Sequence, residues 1–289
     1  MPGSFRNTLS IVDKVYQAGP GRKKNLSIGW LSDGFVFSIL DVKEFKYIAL
    51  EEHKQEGRPD AHHHFAFLRD QLNENPLLNQ PFDRVNIFYY SPKLVLVPDA
   101  LYNKEDEKAL FDLCATRSDH HQIRSDHLHI AKAHGIYSTP VELITLCGEF
   151  FSGCRLRHYG SALIESTLAG QKLEKWNAGM VLHIQSSHFE LLLLESDKLT
   201  YYNSFAIQCF DDMLYYIFYV LEQYGLQAEQ LKTIILGELP MDTEAFATLR
   251  SFFREATFPE KNDMYKYSPE FDRVPYHFYF NLLNLNSCG

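Results

Sequence analysis

A two-lobed α/β protein built from two copies of one unit is what this sequence predicts, on three observations. The segment Gly179–Ser204 reads as strand, tight turn, strand, tight turn, strand, and it repeats the pattern of Asn25–Leu50. Displacing the second copy by 154 positions, Met180 onto Leu26, aligns the two without a gap through Tyr201 onto Tyr47. Ser186 falls on Ser32, Phe189 on Phe35, Leu193 on Ile39 and Glu195 on Asp41. Each triplet of strands is then followed by the same order of helix, strand and helix. Finally, 289 residues suit two α/β domains. The expected division is 1–175, carrying inserted α/β material, and 176–289, with Ala169–Ala178 as the linker between them.

The elements follow from pattern and punctuation. Residues 1–24 are polar, and Gly19-Pro20-Gly21-Arg22-Lys23-Lys24 lacks the G-x-x-x-x-G-K-[ST] spacing of a phosphate loop and leads into a strand. Leu26, Ile28 and Trp30 alternate with small or polar residues, as a half-buried strand requires. Ser32-Asp33-Gly34 turns the chain, Asp-Gly being favoured where both central residues need positive φ. Phe35–Leu40 returns, Phe45–Leu50 makes a third strand and Glu51–Pro59 reads as charged loop. Asp60 suits the N-cap of a helix through Leu72, with Phe65, Leu68 and Leu72 on one stripe.

Val85–Tyr90 and Leu94–Val97 are short apolar runs stopped by proline, and Asn103 caps a helix over Lys104–Cys114. The stretch Leu128–Ala133 reads as a strand. Pro140 opens a helix where its missing N–H has no helical partner. A further helix spans Ser161–Leu168. In the second copy Asp211-Asp212 starts the helix Met213–Tyr224, Gly225 stops it, Thr233–Leu236 is a strand, and Asp242 caps a helix over 243–253. Tyr276–Leu285 alternates aromatic and polar residues and reads as a closing strand.

The bulk numbers narrow the function classes. A formal charge of −9 argues against a general nucleic-acid or anionic-membrane binder, which needs a basic face. No run approaches the roughly 18 apolar residues of a membrane helix, and MPGSFRNTLS has no apolar signal-peptide core. Five scattered cysteines without a CxxC pair fit reduced thiols. The expected location is therefore cytoplasmic.

Three antiparallel strands, then helix, strand and helix, present twice, resemble the actin-like ATPase architecture, a ribonuclease H-like fold of two lobes, each a mixed sheet flanked by helices. Lys93–Leu101, a strand, proline and acidic helix, and Asp126-His-Leu-His-Ile130 look like pilus-assembly M proteins and the cytoplasmic domain of type II secretion L proteins. The whole chain resembles an uncharacterised Bacteroidetes family recorded as a domain of unknown function. In active actin-like members, the turn between the first two strands of each lobe binds ATP phosphates through backbone N–H groups admitted by glycine, with an aspartate positioning Mg²⁺. Both features have physical reasons, close backbone approach and a hard oxygen ligand.

Ser32-Asp33-Gly34 matches that turn in type, although its aspartate adjoins the glycine where the family has Asp-x-Gly. Ser186-Ser187-His188 has neither residue. Where the family places paired glycines beside adenine, this chain has Leu236-Gly237-Glu238. The resemblance thus implies a nucleotide cleft at Ser32, Asp33, Gly34, Ser186, Ser187 and Gly237, while the degenerate motifs point away from catalysis. The expectation is a non-catalytic cytoplasmic scaffold or interaction protein with no cofactor. The alternative is an ATPase or phosphotransferase using ATP and Mg²⁺ in the interlobe cleft.

Other chemistry is sparse. Among 13 histidines, His62-His63-His64 and the group Asp119, His120, His121, Asp126, His127 and His129 invite metal binding. His127 and His129, two apart on a strand, would share a face. Ser161 and the Ser187–His188 pair lack the setting of a nucleophile. The helix Met213–Leu221 is apolar nearly all round and reads as buried between its sheet and the neighbouring domain. The alternative is that one flank of it, at Tyr216, or the strip holding Tyr279, covers a protein partner or a second copy. No nucleic acid and no membrane insertion are expected.

Overall fold

The structure, a computed structural model, describes residues 5–14, 16, 23–55, 61–173 and 176–284. The reading of Gly19–Arg22, the Asp60 cap and the side chains of His62–His64 fall outside the described features. The first lobe starts with β1 (Phe5–Val12), then β2 (Lys24–Trp30), β3 (Gly34–Asp41) and β4 (Lys46–Gln55), followed by α1 (Ala61–Glu74) and β5 (Arg84–Tyr89). An inserted unit comes next, comprising β6 (Val95–Pro98), α2 (Glu107–Cys114), β7 (His121–Leu128) and β8 (Ala133–Pro140). The first lobe resumes with α3 (Val141–Phe150), β9 (Arg155–His158) and α4 (Tyr159–Lys172). The second contains β10 (Met180–Ile184), β11 (His188–Glu195), β12 (Lys198–Ala206), α5 (Phe210–Tyr224), β13 (Lys232–Gly237), α6 (Glu244–Phe252) and β14 (Glu255–Thr257). The chain then adds β15 (Lys266–Tyr267) and α7 (Phe280–Asn284).

Strand order exposes the duplication. The second sheet runs β12-β11-β10-β13-β14, and the first contains the same order as β4-β3-β2-β5-β9, extended at β4 by β1 and β15. Register repeats as well. Leu26 pairs Ile39 and Trp30 pairs Phe35, as Met180 pairs Leu193 and Ile184 pairs Phe189. Even the bulge recurs, between Ile39 and Leu40 and between Leu193 and Leu194.

Past the second turn the gapless alignment fails. Ile39 pairs Ala49 while Leu193 pairs Tyr201, so Tyr201 corresponds to Ala49 and not to Tyr47. The cause is turn length, since Asp41 pairs Lys46 but Glu195 pairs Lys198, a shorter connection. The repeat of helix after β5 is also displaced. The helix near Lys104–Cys114 belongs to the inserted three-stranded sheet, order β6-β8-β7, and α3 is the helix that returns to the first lobe.

Three layers of core hold the lobes. Sheet one packs its outer face on α1 and α3 through Phe65, Leu68, Leu72, Leu143 and Leu146. Sheet two packs its outer face on α5 and α6 through Met213, Ile217, Leu221 and Leu249. Between the sheets, α4 and the C-terminal segment fill one shared core, with Val36, Leu50, Val181 and Leu192 facing Leu163, Ile164, Phe280 and Leu283. Eleven of the fourteen residues of α4 are buried, so this helix is covered all round.

Several element expectations change. Tyr276–Asn284, the described part of the expected closing strand, is not a strand. It forms a 3₁₀ turn and then α7, and Tyr276, Tyr279, Phe280 and Leu283, at helical spacing, enter the shared core. Tyr47 donates to the Leu283 carbonyl (2.7 Å) and Asn281 to that of Tyr159 (3.1 Å), fixing it there. Glu51–Gln55 continues β4 where a loop was expected. Leu128–Ala133 is the turn of the β7–β8 hairpin, with Lys132 at φ 53°. Thr243, not Asp242, caps α6 through the Phe246 N–H. Gly225 ends α5 in the left-handed conformation, as expected. Among the described residues no helix is long and apolar enough to cross a membrane.

Candidate functional site

The two hairpin turns face each other across the lobes. Each is closed the same way, by Leu31 N–H to Gly34 O and by Gln185 N–H to His188 O, both 2.9 Å. Ser186 Oγ donates to Asp33 Oδ2 (2.9 Å), and Ser32 Oγ lies 3.2 Å from Ser187 Oγ. Four of the residues expected at a nucleotide are therefore brought together, and they are bonded to one another.

Gly34 serves a different need from the one its turn suggested. None of Ser32, Asp33 and Gly34 has positive φ. A Cβ on Gly34 would instead stand 2.0 Å from the His53 carbonyl oxygen, so glycine is required by the closeness of β4. Gly237 has both constraints, φ +83° and a Cβ position 2.0 Å from the Ile184 oxygen. Its conformation delivers the Glu238 N–H to that oxygen (2.7 Å) and turns the Glu238 side chain into the cleft.

There Glu238 Oε1 accepts from Lys54 Nζ at 2.6 Å, with Glu52 3.9 Å from the same ammonium. Sequence reasoning missed Lys54 by assigning it to a loop, and noted Glu238 only as the acid replacing a second glycine. Behind the pair lies a cavity of about 270 Å³ lined by Leu31, Val36, Tyr159, Gln185, Tyr279 and Leu282. Burial opposes charge on Lys54, but the Glu238 hydrogen bond and the neighbouring carboxylates outweigh it and raise its pKa. Burial, with Asp33 and Glu52 nearby, raises the Glu238 carboxyl despite Lys54. Three carboxylates thus surround one ammonium.

Beneath the second turn is a buried polar cluster. His183 and Glu190 are cross-strand partners, with Nδ1 2.6 Å from Glu190 Oε2, and Tyr202 donates to Glu190 Oε1 (2.9 Å). Burial acts against ionised Glu190, but the His183 and Tyr202 contacts overcome it and lower its pKa. The first lobe has Gly29 and Val36 where His183 and Glu190 stand. His188 stacks on Tyr90 at 3.9 Å, and burial lowers its pKa to about 4. Ser187 Oγ is 3.4 Å from His188 Nδ1, a long contact.

The remaining expected sites separate. His127 lies on β7 but His129 lies beyond its end, so strand alternation does not align them; their rings meet edge to face at 4.2 Å. The donors that do converge with His127 are Asp99 and His134. Asp126 points to the opposite side and accepts the His158 N–H at 2.7 Å. Tyr279 is not on the surface, being 8% exposed at the cavity wall. Tyr216 is half-buried against Phe205 (4.9 Å), and the exposed rings of α5 are Tyr215, Tyr219 and, at its end, Tyr224.

Residues 17–256 match the family described as "Protein of unknown function (DUF3822)". No curated protein matches the sequence. A Bacteroides thetaiotaomicron protein "with actin-like ATPase fold and unknown function" matches in structure with TM-score 0.73 and 21% identity, over 91% of this chain and 96% of that one. A chain of the "PilM-PilN type IV pilus biogenesis complex" matches with TM-score 0.60 and 12% identity, over 91% and 97%. The fold is that of the actin-like ATPases.

Proposed function

The chain belongs to the DUF3822 family, and we propose that it is a non-catalytic interaction protein of the cytoplasm, an actin-like fold whose cleft is latched shut. One observation carries this reading. The turns that would hold phosphate are hydrogen-bonded to each other through Ser186–Asp33 and Ser32–Ser187. Size and charge support it. A cavity of about 270 Å³ lies below the roughly 300–1,000 Å³ of small-molecule pockets. A phosphate would also meet the carboxylates of Asp33, Glu52 and Glu238 against the single Lys54 ammonium. A like-charge pair 5 Å apart at an effective dielectric of 20 costs about 3 kcal/mol. The outer face of α5, where Tyr215 and Tyr219 stack at 6.4 Å and are 65% and 51% exposed, suits a protein partner. The chain matched in the pilus complex is itself held with a second protein.

The second reading, a nucleotide-binding ATPase or phosphotransferase, rests on Lys54, a part-buried cation beside Asp33. Titration with ATP and Mg²⁺ separates the two, because a ligand of the folded state adds about 2.7 kcal/mol at 100 times its Kd. We expect no change in Tm at millimolar nucleotide. A saturable rise that disappears in Lys54→Ala would replace this reading with the second. On the positive side, binding of the protein partner should be lost in a Tyr215→Ser/Tyr219→Ser variant of unchanged stability.

A further inference from the structure

We propose that Asp99, His127 and His134 form a binding site for a divalent transition-metal ion, zinc by its donor set, on the inserted three-stranded sheet. His127 and His134 are directly opposed in the β7–β8 ladder, so their rings share one face. Val97 on β6 pairs His134 from the other side, and Asp99 follows two residues later. Donor atoms of all three residues lie within 4.8 Å of one another. His127 Nε2 is 3.3 Å from Asp99 Oδ2 and His134 Nε2 is 3.7 Å from Asp99 Oδ1. A tetrahedral zinc with bonds of about 2.0–2.1 Å keeps its ligand atoms about 3.3–3.4 Å apart. The carboxylate contacts already have nearly that spacing, and a tilt of the two stacked imidazoles, 4.6 Å between centroids, completes it.

The donors are held in place. Glu165 on α4 accepts the N–H groups of Ile130 (2.9 Å) and Ala131 (3.3 Å), anchoring the turn between the two histidines. Asp99 N–H bonds to Lys132 O at 3.0 Å. Tyr102 lies flat on the His134 ring at 3.5 Å. Two imidazoles and a carboxylate suit zinc and its first-row neighbours, whereas magnesium and calcium demand oxygen ligands throughout.

The inserted unit has reason to use such a clamp. Among the described residues its own cluster has three buried hydrophobic residues, Val97, Phe111 and Ile136, and small units of this kind depend on staples. An ion here ties β6 to both strands of the hairpin. Its fourth position opens to solvent, with His129 alongside.

The test uses untagged full-length protein, stripped with chelator and titrated with Zn²⁺ and Co²⁺. One ion per chain is expected, with visible ligand-field absorption for Co²⁺ and a rise in Tm for Zn²⁺. Asp99→Asn, His127→Ala and His134→Ala should each weaken binding by about tenfold or more, while replacing His62, His63 and His64 with alanine should leave it unchanged. Asp99→Asn preserves shape, so a folding defect in a histidine variant does not remove the test. Absence of stoichiometric binding, binding undiminished in Asp99→Asn, or binding lost with the His62–His64 replacement would overturn the proposal.

Discussion

At the scale of single residues, two glycines in left-handed backbone show how differently one conformation can be enforced. Gly225 has φ +64° and open space where a Cβ would stand; Gly237 has φ +83° and the Ile184 backbone 2.0 Å from that position. Gly225→Ala therefore incurs only the left-handed penalty, about 1–2 kcal/mol. Gly237→Ala adds a backbone clash that cannot be relieved by a side-chain rotation, and we expect a loss of at least about 3 kcal/mol. Urea midpoints of the two variants check this, and equal losses would contradict it. The Gly225 role was legible because a C-terminal glycine is a local signal. That of Gly34 was not, because its demand comes from His53 on a neighbouring strand. Lys54 and Glu238, 184 positions apart, leave no sequence mark of their pairing.

Among the elements, α4 has an end that responds to acid. His158 caps it, its Nδ1 accepting the Gly160 N–H (2.9 Å) while Nε2 lies 3.0 Å from Ser91 O. That arrangement needs neutral imidazole carrying its proton on Nε2. Burial lowers the His158 pKa to about 4, whereas in the unfolded chain histidine takes up a proton near 6.5. Between those values the unfolded state binds more protons, so stability is intact above about pH 6.5 and lost as pH falls. His158 accounts for about 3 kcal/mol across the whole window at 1.36 kcal/mol per unit, and His188, also lowered to about 4, acts in the same sense. Unfolding midpoints should fall from pH 6.5 to 5, and less steeply in His158→Gln. Identical slopes would remove His158 from the account. Elements with an apolar run and a local stop, such as β2, β3, β10, β11 and α5, were readable, although β2 is buried on both faces where its alternation suggested a half-buried strand. The Tyr276–Leu285 stretch carries both alternation and i, i+3, i+4 spacing, and only burial between the sheets decides for helix.

For the whole molecule, duplication was readable in the paired hairpins, but the joining of the copies was not. The shared core is assembled from α4, near the middle of the chain, and α7, near its end, and nothing local marks either as common to both sheets. Residues of the two sheets and both helices form one continuous cluster, so neither lobe can expose its inner face without exposing the other's. This predicts a single cooperative unfolding transition, with calorimetric and van't Hoff enthalpies in agreement. Leu163, fully buried in that cluster, provides the sharper test. Leu163→Ala should cost about 3 kcal/mol through lost transfer energy and a residual cavity, and it should lower the melting of both lobes together. Exchange of the β2 and β10 amides reports each sheet separately. Two transitions, or protection lost in one sheet alone, would show that the lobes are stable without their common centre.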